Sequence, residues 1–385
     1  MQHAINDNQV PTRDISDNSF KSPFYKELWK EIQQLGGMFN AHLHLDRAGT
    51  IDRKYLKYSE LNPYAYCNFP LANKHNLIPE IHNGPAYDRE DLSERINFYL
   101  DIMTARGTAR ANTLVDVTRD RVGLTALEVM LEIKKQRSQK IDLLVGVYSP
   151  FGFKDTEPER WDLLVQGALR ADFIGSLPER DDTGHYPSHI GFYENCSRIL
   201  ELGQQLKKPV HIHIDQRNDP AEKGTEIFLQ AANSVGTPHS ATGEPMVWLV
   251  HVISPSAYSE TRFKKLLKGL VRHNTGVICC PSAALSMQQY RQKKTPTHNS
   301  IARVLEMLAF GIWVRIGSDN IADIFSPSGT PDLHDEIFVL SNAIRFYRIG
   351  ILSKIACGIK LDDDDRFVIR HHLSCHAVHS AAIKH

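Results

Sequence analysis

The sequence predicts an α/β fold, a (β/α)8 TIM barrel, and three observations carry that expectation. Eight short apolar runs, several rich in β-branched residues, recur along the chain, as parallel strands buried on both faces should read. The segments between them keep a helical period: Leu124, Leu127 and Leu131 share one face of 124–137, and Ile301, Val304, Leu305 and Leu308 precede the last run. The length of 385 residues suits one large barrel or two ordinary domains. A doubly wound open sheet is the competing arrangement, but no Gly-rich phosphate loop follows the first run.

In chain order, residues 1–37 read as a polar arm leading into a short helix around 25–34, and residues 38–385 as a single barrel domain. Strands are expected at 38–44, 112–117, 141–148, 172–176, 209–215, 246–251, 276–280 and 312–317. No self-similar repeat of 20–50 residues and no low-complexity linker interrupts them. The stretch at about 47–85, rich in Tyr, Asn and Pro, separates the first strand from its helix. In a barrel it would overhang the face that carries chemistry, as a partial lid. Helices are expected to close the chain after the eighth strand.

Composition narrows the functional classes. Lys plus Arg and Asp plus Glu stand at 45 each, so no basic field is on offer to nucleic acid or an anionic membrane. Hydrophobic residues make up 42% and charged residues 23%, a globular balance. No apolar run is long enough to span a bilayer, and the opening MQHAINDNQVPTRDISDNSF lacks a hydrophobic signal core. A cytoplasmic protein with a small-molecule partner is expected. The six cysteines (Cys67, Cys196, Cys279, Cys280, Cys357, Cys375) form no CxxC pair and read as buried thiols.

The 19 histidines are more informative. In a barrel, catalytic groups belong at the C-terminal ends of strands. The first run ends in His42 and His44, two apart and so on one face of a strand. The fifth repeats the spacing with His211 and His213, the sixth ends in His251, and the eighth ends in Asp319 and Asn320. Any one of these is more simply a core histidine or, for Asp319, a helix cap. All four strand ends together point to a metal centre. His42, His44, His213 and Asp319 would give a three-nitrogen, one-oxygen environment for one divalent ion, Zn²⁺ or Fe²⁺. Such an ion lowers the pKa of a bound water toward neutrality. Asp319 would then take the proton, and His251 would hold the nucleophile or polarise the electrophile.

With these residues in place, the chain resembles the amidohydrolase superfamily, in its cytosine deaminase-like branch. The resemblance runs over most of 38–350. Val115-Asp116-Val117-Thr118 with GLTALEVMLEIKKQ and IDLLVGVYS is similar to the second and third units of cytosine deaminases. ADFIGSLP, at 171–178, is similar to their fourth strand, and NSIARVLEMLAFGIWVRIGSDNIADIFSPSG to the segment entering their last ligand. The resemblance implies a barrel of the metal-dependent hydrolase type. It places His42, His44, His213 and Asp319 on the metal ligands and His251 on the catalytic histidine beside them, with His211 as a packing residue. Oligomer formation is a habit of the family, so a homo-oligomer is carried here as analogy alone.

The departures matter as much. Gln216 stands where deaminases of this branch carry a proton-shuttling glutamate, and an amide cannot exchange protons near neutral pH. The third-strand glutamine that reads the cytosine edge falls near Pro150. Asp319-Asn320 is similar to the pair in the N-isopropylammelide amidohydrolases, and Arg47 sits where those relatives have a lysine. The chain is expected to lack the flanking β-sandwich. In this it is closer to adenosine deaminase, whose motifs find echoes in HLHLD and Cys280-Pro281-Ser282.

The leading expectation is therefore a metal-dependent hydrolase of a C–N bond, with Gln216 and Arg47 orienting the substrate. Asn320, Arg119, Glu179 and Tyr148 are further candidates for substrate contact, and Arg119 is weighed against a surface ion pair. Ser149, Ser282 and Gln288 would line the pocket by position. Two alternatives stand: an aminohydrolase of a cytosine- or triazine-like ring, and a non-catalytic metal-binding pseudoenzyme that lost turnover with the glutamate. The histidines at 371–379 read as surface or helix packing.

Overall fold

Alternating apolar runs and helical segments resolve, in the computed structural model, into eight parallel strands; the structure describes residues 22–56, 71–287 and 301–382. The strands are β1 (Met38–Leu43), β2 (Thr108–Asp116), β3 (Asp142–Tyr148), β4 (Phe173–Ser176), β5 (Val210–Ile214), β6 (Val247–His251), β7 (Thr275–Cys279) and β8 (Val314–Ile316). Each pairs with the next in parallel, in the order β1 to β8. Such pairing requires a crossover between neighbours, and helices such as Arg89–Ala105, Thr125–Arg137 and Glu260–Arg272 supply it. The last begins where the Ser259 hydroxyl accepts the Arg262 N–H. The fold is a TIM barrel, and among the described residues its strands form one sheet with no second sheet beside it.

The barrel closes where β1 meets the end of β8. The Asp319 N–H donates to the His42 carbonyl at 3.0 Å, and the His44 N–H donates to the Asp319 carbonyl at 3.2 Å. Asn40 and Ser318 add a reciprocal clamp: the Asn40 amide donates to the Ser318 hydroxyl at 2.8 Å and accepts the Ser318 N–H at 3.1 Å. The backbones approach so closely that a Cβ on Gly317 would sit 2.5 Å from the His42 carbonyl oxygen. Only glycine fits there.

Side-chain alternation sorts the core into layers. Leu143, Val145 and Val147 of β3 join the large cluster shared with the helices, as do Val210, Ile212 and Ile214 of β5. Two smaller clusters fill the barrel itself. One holds Phe39, Ala41, Trp248, Val250, Ile278 and Cys280, and the other Leu114, Tyr148, Phe173 and Leu177. The filled interior leaves the C-terminal mouth as the place for a site.

All eight expected runs fall on strands, with shifted ends. β2 starts at Thr108, ahead of its apolar run, because backbone pairing to Met38 and Phe39 carries it there, and Arg110 lays its guanidinium 4.4 Å from the Phe39 ring centroid. β8 starts late because the Ile312 N–H still caps the helix Val304–Phe310, donating to the Met307 carbonyl. Among the described residues, the stretch after β1 carries short helices at Arg53–Leu56, Leu71–His75, Ile78–Asn83 and Pro85–Tyr87 between the strand and its crossover helix. Its residues 57–70, with Cys67, lie outside the described residues, as do Gln288, the arm at 1–21 and the side chains of His376 and His379. No helix among the described residues is long and apolar enough to cross a membrane.

Candidate metal centre

Three strand ends converge at the mouth of the barrel. β1 delivers His42 and His44, β5 delivers His213, and the two backbone bonds at the β1–β8 seam carry Asp319 in beside them. Their ligand atoms all lie within 4.8 Å of one another. His42 Nε2 and His213 Nε2 are 3.0 Å apart, and Asp319 Oδ1 is 3.6 Å from His42 Nε2 and 3.5 Å from His44 Nε2. His251, from the end of β6, comes within 3.9 Å of the other carboxylate oxygen, Oδ2. His211 packs instead on Phe173, ring centroids 4.3 Å apart.

The environment keeps these imidazoles neutral. Burial, helped by the Arg47 charge, lowers the His42 pKa to about 3. Burial, followed by neighbouring His42, lowers His213 to about 3, and burial lowers His251 to about 3 against the pull of Asp319. His44 is depressed as well, by burial and then Arg47. The His213 Nδ1–H donates to the Ser176 carbonyl at 3.0 Å, which turns the Nε2 lone pair toward the cluster. Two buried Nε2 atoms in near contact, a third imidazole and a carboxylate form a donor set that fits one zinc or ferrous ion. The cluster could hold such an ion.

The backbone is bent to present these groups. Asp215, His251 and Asp319 all have positive φ, at 54°, 82° and 58°, a region that non-glycine residues rarely occupy. Strained residues at three strand ends around one cluster are the kind of cost that accompanies a working site.

The pocket beside the cluster is lined by His44, His213, His251 and Asp319, with Arg47, Tyr148, Gln216 and Asn320 among the other expected residues. Tyr148 lies between His44 and His213, ring centroids 5.3 and 5.6 Å away. The Asn320 amide donates to Asp323 at 2.6 Å. Arg47 rests over Phe325 and Tyr148, 5.2 and 5.9 Å from their ring centroids.

Two residues expected to contact substrate do not line this pocket. Arg119 is half exposed and pairs with Glu159 at 3.5 Å and Glu157 at 3.9 Å. It borders a separate cavity of about 390 Å³ with Ser149 and Arg160. Glu179 stands behind Gln216 rather than in the pocket. It accepts the Gln216 backbone N–H and side-chain amide, each at 3.3 Å. Burial, then the nearby Glu222 carboxylate, pushes its carboxyl well above the usual range. Ser282 sits over Glu336, to which its N–H donates at 2.9 Å.

Other residues at the site escaped sequence reasoning. Leu71, Lys74 and His75, from the stretch after β1, line the pocket with Phe325 and Ser326. Behind Arg47 lies a buried network. The His82 imidazole bridges Asp116 at 3.0 Å and Asp120 at 2.6 Å. The Tyr87 hydroxyl reaches Asp116 at 3.0 Å and Asp46 at 3.1 Å, and Asp46 accepts the Asp116 N–H at 2.8 Å. Asp46, the acid that ends HLHLD, and Asp116, in the motif that ends β2, stood in quoted motifs, while His82, Tyr87 and Asp120 carried no signal.

Comparison with solved structures finds the same architecture. A 5-methylcytosine deaminase from Klebsiella pneumoniae superposes with a TM-score of 0.70 at 20% identity, over 83% of this chain and 73% of the other. The two chains share one barrel fold. An N-isopropylammelide isopropylaminohydrolase from Burkholderia multivorans shares this barrel with a TM-score of 0.62 at 18% identity, over 83% and 72% of the two chains. An atrazine chlorohydrolase from Arthrobacter aurescens, complexed with zinc, shares it at 0.52 and 14% identity, over 84% and 71%. By sequence, the chain is 26% identical over 283 residues to an uncharacterised protein of Haemophilus influenzae, covering 72% of this chain and 92% of that one. No family model matches the chain.

Proposed function

We propose that the chain is a metal-dependent hydrolase that cleaves a C–N bond, of an amide or amine, in a small nitrogen-rich molecule. The observation that carries this reading is the convergence of His42, His44, His213 and Asp319 at the barrel mouth, with His251 beside the free side of the carboxylate. His42, His44, His213 and Asp319 would hold one divalent ion, which would supply a water activated at neutral pH and a Lewis acid for the electrophile. The zinc in the atrazine chlorohydrolase favours zinc here, and the donor set accepts ferrous iron equally.

The protein's own groups divide the remaining work. Asp319 has one oxygen toward His42 and His44 and the other toward His251. It takes the proton that the attacking water releases and returns it to the nitrogen as the C–N bond breaks, so the proton count balances. Neutral His251 orients that water or donates to the oxygen that gains charge. Gln216 and Arg47, both of which line the pocket, position the substrate. This route needs no carboxylic acid at position 216.

Deamination of a heterocycle is the second reading, favoured by what the deaminase and aminohydrolase neighbours act on. It would require Asp319 to serve the ring nitrogen as well, because Glu179 reaches the pocket only through the Gln216 amide.

The test is a screen of the metal-loaded protein against amides, ureas, aminopyrimidines and aminotriazines, with ammonia and amine detection. Turnover of one class is expected, falling by about 10²-fold or more in His251→Asn and lost in Asp319→Ala. Full metal occupancy with no turnover in any class would make the chain a binding protein.

A further inference from the structure

Away from the metal centre, the opposite end of the barrel gathers cations. In β8, Val314 and Ile316 join the large cluster shared with the helices, so alternation turns Arg315 inward. Its guanidinium lies 3.9 Å from the ring centroid of Trp248, 4.6 Å from that of Trp313 and 5.1 Å from that of Phe39. Arg110 lies over the same Phe39 ring at 4.4 Å, and the Lys360 ammonium over the same Trp313 ring at 5.8 Å. Phe39, Arg110, Trp248 and Arg315 stand near the starts of their strands, whereas the residues of the metal centre stand at strand ends.

The aromatic faces answer part of this charge and none of its hydrogen-bonding capacity. A cation over a ring is attracted by the ring's quadrupole, but the N–H groups of a guanidinium lie in its own plane and still need acceptors. Among the described residues Arg315 makes no hydrogen bond and no ion pair, and its Nε is buried without a partner. The Trp313 Nε1–H beside it is buried and unpartnered as well. Arg110 donates to the Cys357 carbonyl at 2.8 Å, a neutral acceptor. Two acids are near. Glu244 is exposed and, among the described residues, forms no ion pair with Arg110, Arg315 or Lys360. Asp142, next to Arg110 in the β2–β3 register, is exposed too and forms none either. Burial lowers the Arg315 pKa to about 10, against the pull of Glu244 and with the push of Arg110, so Arg315 is still a cation at neutral pH. Arg315 is half-buried, while Arg110 and Lys360 are exposed, so the group is open to a ligand. Cations that repel one another across shared rings, with in-plane donors unused, match an anion that offers several oxygens.

We propose that this end of the barrel binds a phosphate group, as free phosphate or as a phosphomonoester, with Arg315 and Arg110 donating to its oxygens and Lys360 adding a third positive charge. The site is independent of the metal centre and of the reaction proposed there.

Equilibrium binding calorimetry on the full chain, at constant ionic strength, tests the assignment with inorganic phosphate, adenosine monophosphate and acetate. Each is titrated into metal-loaded and chelator-treated protein, so that an anion on the metal ion is told apart from one on these side chains. Phosphate or the monoester is expected to bind the chelator-treated protein about tenfold or more tightly than acetate. The tighter of the two identifies the source of the phosphate group. Arg315→Met should weaken that binding by about tenfold or more, and Arg110→Met and Lys360→Met by smaller factors. Failure of both phosphates to bind at up to about 10 mM would overturn the proposal. So would acetate binding as tightly, binding seen only with metal present, or an affinity unchanged in every variant that folds. Lys360 is exposed, so its variant keeps the test decisive even if Arg315→Met does not fold.

Discussion

At His82 one imidazole meets two carboxylates in the interior, and the balance of burial against pairing decides its charge. Burial opposes protonation, but the hydrogen bonds to Asp116 and Asp120 outweigh it and raise the pKa to about 9. A histidine whose folded pKa lies above its unfolded value near 6.5 stabilises the fold fully below pH 6.5, and that contribution is lost as pH rises through 9. His82→Gln leaves Asp116 buried beside fewer donors, so a loss of roughly 3–5 kcal/mol is expected. Denaturant unfolding of the metal-free protein across pH 6 to 9.5 checks both statements. The variant should show a shallower fall of stability over that range than the wild type. A parallel fall in the two proteins would mean that His82 is not the titrating group. None of this was legible in the sequence, since a lone histidine in a stretch without regular periodicity carries no sign of its partners.

The element that matters most for the centre is the seam between β1 and β8, which closes the barrel and assembles the cluster in one step. The two backbone bonds that complete the sheet are made by Asp319 itself, to His42 and from His44. An ideal Cβ at Gly317 would meet the His42 carbonyl oxygen at 2.5 Å and the His42 Cβ at 2.9 Å. Gly317→Ala must therefore push β1 away from the end of β8. The expected result is a folded protein destabilised by about 1–3 kcal/mol, whose metal affinity drops about 10–100-fold. Competition with a chromophoric zinc chelator measures that affinity, and an unchanged value would show that the cluster does not depend on the seam. The strands at this scale were readable because each is an apolar run of strand length, and the histidine spacing in β1 and β5 announced a shared face. The short helices after β1 were not, because their composition of Tyr, Asn and Pro suggests only a loop. Lys74 and His75 therefore entered the pocket unforeseen.

Across the whole molecule, the sequence located what strands deliver and missed what packing between elements decides. His42, His44, His213, His251 and Asp319 were found because parity and position at strand ends follow from local sequence once the barrel is assumed. Arg119 also follows a strand end, yet its side chain pairs with Glu157 and Glu159 and lines a different cavity. Glu179 illustrates the intermediate case, near enough to touch Gln216 but behind it. Such distinctions depend on distances between segments far apart in the chain, which no local pattern encodes. The proposed chemistry depends on His42, His44, His213 and Asp319 holding a metal together, so metal content is the decisive measurement. Elemental analysis of protein purified without chelators should find about one zinc or iron per chain in the wild type, lost or weakened in Asp319→Ala and His213→Ala. No bound metal in the wild type, and none taken up from added Zn²⁺ or Fe²⁺, would contradict it.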